Sequence, residues 1–131
     1  MNIKLNVLIT KLKILIPMAL ILLGIDNLYL KSVSCYFKRQ IFKVQQTPMK
    51  INYPGAIICY FLLCAGLYYF IISQRKPVYE AFILGIVIYG IFETTNKAIF
   101  TRWTWKTVLL DSVWGGILYA LTTFATYKLL F

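Results

Sequence analysis

The chain has 131 residues, of which 60% are apolar and only 14% charged, and its mean hydropathy is +0.74. That balance excludes an ordinary soluble domain and points to a membrane protein. A net charge of +10 would suggest nucleic-acid binding in a soluble chain, but the 14 Lys and Arg lie mostly between or beside apolar runs. There they anchor helix ends and attract anionic head groups, so membrane lipids are the expected partners and nucleic acid is not.

Four apolar runs are separated by polar punctuation, and each approaches the ~20 residues a helix needs to cross a ~30 Å hydrocarbon core. The first covers residues 14–30, with Lys11 and Lys13 placed to snorkel from its start and Pro17 one turn inside. A secretory signal is the alternative for this run, since Lys4 precedes it and Ser32-Val33-Ser34-Cys35 faintly resembles a lipoprotein cleavage site. Asp26, Asn27 and Lys31 come before any such site and favour an uncleaved span. Beyond it, Val33, Phe37, Ile41 and Val44 follow helical spacing, while Lys38, Arg39 and Lys43 fall largely elsewhere around the wheel. A basic amphipathic helix lying on the membrane surface and an ordinary ordered loop both fit that segment.

The second run covers residues 53–73, with Asn52 placed as an N-cap and Pro54 near the first helical position. The third covers residues 78–100 and starts after Arg75-Lys76-Pro77. The fourth covers residues 107–131, preceded by Trp103 and Trp105 where an interfacial aromatic belt would place them. The expected fold class is therefore all-α: a four-transmembrane-helix bundle forming one integral membrane domain over residues 1–131, with an amphipathic interfacial helix between spans one and two. Four crossings put six cations on one side and eight on the other, a bias too small for the positive-inside rule to orient the chain.

The chain has four acids, Asp26, Glu80, Glu93 and Asp111, and only Glu80 reads as interfacial. An unpaired acid at mid-span costs roughly 2.5–3.5 kcal/mol, so the other three must be neutralised, paired or wetted. Asp26 lies near the end of span one, Glu93 in the last turns of span three and Asp111 in the first turn or so of span four. Those three ends share one side of the membrane, so the acids can meet there. Tyr89, Glu93, Asn96 and Lys97 share a helix face, which allows a Glu93–Lys97 pair. Asp111, Gly115, Tyr119, Thr122 and Thr126 form a polar and small stripe that should face protein. Beside it, Ser112, Gly116 and Ala120 make a small-residue seam suited to close helix approach, including that of a second copy in a homo-oligomer.

There is no His, and Cys35, Cys59 and Cys64 have no zinc spacing, so neither a metal site nor a cofactor is expected. The acids support a site for a cation, a proton or an amine-bearing head group. In that reading Asp26, Glu93 and Asp111 hold the ligand, Asn27, Thr95 and Asn96 add polar groups, and Trp103 and Trp114 wall the pocket. Interhelical glue is the plainer alternative, with the acids bonded to Asn96, Lys97 or Arg102 and no ligand involved. A lipid-modifying enzyme using two carboxyls as acid and base is weakened by the missing His and by the absence of a nucleophile elbow or phosphate-binding Gly loop. An accessory subunit docking through the seam is the remaining alternative.

Spans three and four read Tyr79-Glu80-Ala81-Phe82, Leu84-Gly85, Tyr89-Gly90-Ile91-Phe92-Glu93-Thr94-Thr95-Asn96, Trp103, then Asp111-Ser112-Val113-Trp114-Gly115-Gly116-Ile117-Leu118. Together with Asp26-Asn27-Leu28-Tyr29-Leu30 and Tyr60-Phe61-Leu62-Leu63, this resembles the small membrane proteins grouped as domain of unknown function 2177. Their pattern is an acid, a Thr-Asn pair, a Trp and an Asp-x-x-Trp-Gly run. Glu93 stands where an Asp is typical, and Tyr29 where a Trp is expected. The resemblance implies a four-helix membrane protein and supplies no reaction.

Overall fold

The computed structural model describes residues 2–131. It contains four helices: α1 (Asn2–Gln45), α2 (Tyr53–Leu67, continued by a π-helical turn over Tyr68–Ile72), α3 (Val78–Ile99) and α4 (Trp105–Leu130). Each is long and apolar enough to cross a bilayer, and the chain is a multi-pass integral membrane protein.

Local chemistry accounts for the helix starts. The Asn52 side chain accepts from the Gly55 N–H at 3.0 Å, with Pro54 in the first turn of α2 where its missing N–H costs nothing. Thr104 caps α4 in the same way, accepting from the Thr107 N–H at 3.2 Å. Gln46 after α1 and Arg75 before α3 take left-handed backbone conformations, at φ 62° and 53°. Arg75 lays its guanidinium over the Phe131 ring at 3.3 Å, and the Tyr127 hydroxyl donates to the Lys76 carbonyl at 2.6 Å, so the α2–α3 turn is fastened to the end of α4.

The segment after span one is helical, but it is an unbroken continuation of α1 and not a separate helix lying on the membrane. No Gly or Pro stands between Gly24 and Pro48 to interrupt it. At 1.5 Å per residue the 44 residues of α1 span ~66 Å, about twice the hydrocarbon core. Its upper end is held by buried Gln40. The Gln40 amide donates to the Arg102 carbonyl at 2.8 Å, and its oxygen accepts from Thr107 at 2.8 Å and Thr104 at 3.2 Å. Tyr36 adds a hydroxyl contact to Thr107 at 2.7 Å. These polar bonds fix the helix against the α3–α4 loop and the start of α4.

Inside the bundle α3 and α4 pack most closely, α1 lies against α4, and α2 lies against α1. Small residues make the α3–α4 approach close: Gly85 faces the backbone of Gly115 and Gly116, Tyr89 covers Gly115, and Phe82 and Ile86 cover Gly116. Gly116 thus packs against α3 of the same chain, the close helix approach for which its seam is suited. The stripe Asp111, Gly115, Tyr119, Thr122 and Thr126 is buried throughout, as its polarity demands. Tyr119 donates to the Leu63 carbonyl at 2.6 Å and ties α4 to α2. Met18, Leu22, Leu67 and Leu118 fill the centre, while the many exposed Leu, Ile and Phe side chains form the lipid-facing surface.

Candidate functional site

The three intramembrane acids lie at the end of the bundle where α1 meets the α3–α4 loop. Asp26 is on α1, Glu93 on α3 and Asp111 on α4, and all three are buried. Their environments differ, and that difference decides what each can do.

Asp26 is satisfied on both oxygens. The Trp114 indole N–H donates to Oδ1 at 2.9 Å, and the Tyr60 hydroxyl of α2 donates to Oδ2. Asp111 accepts on Oδ1 from the Tyr29 hydroxyl at 3.2 Å. Tyr29 and Trp114 stack face to face, with ring centroids 4.3 Å apart and planes 8° from parallel. That aromatic pair joins the two aspartates: Tyr29 reaches from α1 to the acid of α4, and Trp114 reaches from α4 to the acid of α1. Dipolar donors of this kind stabilise a carboxyl within a membrane without a cationic partner.

Glu93 is the exception. It is 0% exposed, and neither carboxyl oxygen has a hydrogen-bond partner among the described residues. The Trp103 indole lies beside it, yet its N–H falls short of hydrogen-bond geometry and is itself unpartnered. Asp111 is across the α3–α4 seam from it, since Gly90, three residues before Glu93, faces Ser112, the residue after Asp111. The Glu93–Lys97 pair allowed by i,i+4 spacing does not form. Lys97 instead turns outward, placing its ammonium 5.6 Å from the Trp105 ring centroid. A lysine near a helix end keeps its hydration by snorkelling to the interface, and burial beside Glu93 would forfeit it. The one ion pair among the described residues is Lys76–Glu80, at 3.8 Å and partly exposed at the other end of the bundle.

The structure therefore brings Asp26 and Trp114 into one hydrogen-bonded group and Asp111 and Tyr29 into another, joins the two into a network through the Tyr29–Trp114 stack, and sets Glu93 and Trp103 beside it. Trp103 is folded inward and not placed in an interfacial belt, whereas Trp105 is exposed. Asn27 is exposed, and Thr95 is exposed and spends its hydroxyl on the Ile91 carbonyl of its own helix at 2.6 Å. Asn96 is half-buried. Tyr29 and Tyr60 are the network members that sequence reasoning did not assign to the site. Tyr29 carried a signal, standing three residues after Asp26 on the same helix face. Tyr60 carried none. Five of the clefts that indent the surface have no acid in their lining. Among the described residues no three His, Cys, Asp or Glu side chains stand close enough to hold a metal ion.

The family described as Predicted membrane protein (DUF2177) matches residues 11–128, which include every member of this network. The chain belongs to that family. No curated protein and no solved structure matches it. The family's description states membrane residence, in agreement with the four membrane-length helices.

Proposed function

We propose that the protein binds a small cation, in the simplest case a proton, at Glu93 with Asp111 beside it. The supporting observation is the wholly buried Glu93 carboxyl with both oxygens unpartnered among the described residues. The Trp103 N–H beside it is one neutral donor and does not by itself compensate an ionised carboxylate in a medium of low dielectric, so the group calls for a proton, a cation or water. Asp111 contributes an oxygen that Tyr29 does not engage. Asp26 has a different role in this reading: with both oxygens satisfied, it fixes Trp114 and Tyr60 and so holds α1, α2 and α4 around the site. Two carboxyls favour a proton or a monovalent ion, since Ca²⁺ takes six to eight oxygen ligands and Mg²⁺ demands near-octahedral geometry.

Infrared difference spectroscopy of the lipid-reconstituted protein tests this directly. The expected result is a carboxyl band that responds to pH or to exchange of alkali cations for a bulky organic cation, and that Glu93→Gln removes. A spectrum with no responsive band assignable to Glu93, together with a thermal midpoint indifferent to protons and alkali cations, would overturn the proposal.

A further inference from the structure

Eight cations, Lys31 to Lys50 on and after α1 and Lys97 to Lys106 around the α3–α4 loop, belong to the end of the bundle that holds the acids. None is ion-paired among the described residues, because the only acids at that end are the buried Asp26, Glu93 and Asp111, and Glu80 is at the other end with Lys76. Two clefts open among these cations. One, of about 530 Å³, lies between Lys38, Arg39 and Lys43 of α1 and the returning segment at Pro48 and Met49. The other, of about 370 Å³, lies between α1 and α4 and is lined by Tyr36, Arg39, Gln40, Lys43, Thr104 and Lys106. Arg39 and Lys43 belong to both.

The second cleft is a built one. Its floor is the hydrogen-bonded group Gln40, Thr104 and Thr107, and the Tyr36 ring lies 5.4 Å beneath the Lys106 ammonium. Arg39 and Lys43 are exposed, so their charges face outward from a fixed frame. Apolar side chains stand at the same level, with Phe42 48% and Met49 38% exposed next to these cations. Lys106 lies in the first turn of α4, and Gln40 bonds Thr104 and Thr107 beside it, so these cations and apolar side chains stand level with the start of span four and match the head-group layer, where the phosphate is anionic and acyl chains begin just beneath.

We propose that this double cleft, centred on Arg39, Lys43 and Lys106, binds the phosphate of an anionic phospholipid. Arg39 supplies a planar fork suited to paired phosphate oxygens, and the lysines supply point charges on either side of it. The inference is independent of the Glu93 reading, since it uses none of the buried acids. The experiment uses the full chain in nanodiscs, comparing phosphatidylglycerol with phosphatidylcholine by native mass spectrometry of retained lipid and by thermal midpoint. At about 1 kcal/mol per cation near an anionic surface, removing three charges should weaken phosphatidylglycerol retention on the order of a hundredfold.

The test variant is Arg39→Gln with Lys43→Gln and Lys106→Gln. The control removes the same charge from the opposite end as Lys4→Gln with Lys11→Gln and Lys13→Gln. Arg39→Lys, which preserves charge but not the fork, should bind more weakly than the native chain and much more tightly than the triple variant, and shows that the fold tolerates change there. The inference is overturned if the two triple variants lose phosphatidylglycerol equally, or if phosphatidylcholine is retained as well as phosphatidylglycerol. Displacement of the lipid by inorganic phosphate at low concentration would also overturn it, in favour of a soluble phosphate ligand.

Discussion

Replacing Gly85 by Ala sets two physical effects against each other, and the structure says which should win. Ala is the better helix former by up to about 1 kcal/mol, so propensity alone predicts stabilisation. A Cβ on Gly85, however, would stand 2.6 Å from the Gly115 carbonyl carbon and 2.9 Å from the Gly116 Cα, where ordinary contact begins at 3.4 Å. Both opposing atoms are backbone and cannot rotate away, so α3 and α4 must separate by roughly 1 Å. Overpacking of this kind costs about 1–3 kcal/mol. It also displaces the contacts of Tyr89, Phe82 and Ile86 along the same seam. The net expectation is a loss of about 1–2 kcal/mol. Glu93 lies about two turns from Gly85, so the candidate site should loosen as well. Gly24→Ala is the matched control, since a Cβ there meets nothing within 4 Å and only propensity acts. Reversible unfolding of both variants in mixed micelles, followed by circular dichroism, measures the difference. If Gly85→Ala is as stable as Gly24→Ala, the close backbone approach is not what holds α3 to α4.

Tyr119→Phe removes the 2.6 Å bond to the Leu63 carbonyl and should cost about 0.5–1.5 kcal/mol in the same unfolding assay; no change would mean that the hydroxyl does not staple α4 to α2. Lys76→Gln should alter stability by less than about 0.5 kcal/mol, because the Lys76–Glu80 pair is long and partly exposed, and a larger loss would contradict that. Gln40→Ala withdraws two hydrogen bonds from the α3–α4 loop and one from the first turn of α4, and should speed hydrogen exchange at Arg102–Thr104 and in α1 beyond Tyr36, while the spans stay protected. Unchanged exchange in that loop would remove Gln40 as the anchor of the α1 extension.

The features legible in the sequence were those governed by short-range rules. The spans were visible because a bilayer sets a length that a run of apolar residues either meets or does not. Asn52 and Pro54 marked the start of α2 because capping involves only residues within one turn. The acids stood out because charge is rare inside spans. The extension of α1 was half visible: its helical spacing and its lack of breakers could be read, but its direction could not. That direction depends on Gln40 finding partners at Arg102, Thr104 and Thr107, more than sixty residues away.

Glu93 and Lys97 show the limit of spacing arguments. Four residues of separation made a pair geometrically available, but the sequence did not say that Glu93 would be enclosed while Lys97 kept access to the interface. In the same way, sequence alone assigned Asp26, Glu93 and Asp111 to one end of the membrane, because helix direction alternates at each crossing. Tertiary structure decided the rest: Tyr60 and Trp114 saturate Asp26, Tyr29 takes one oxygen of Asp111, and Glu93 is left without a partner among the described residues. The physical reason is range. Membrane crossing is set by each segment's own polarity, whereas the state of a buried carboxyl is set by whichever donors other helices bring within about 3 Å of it.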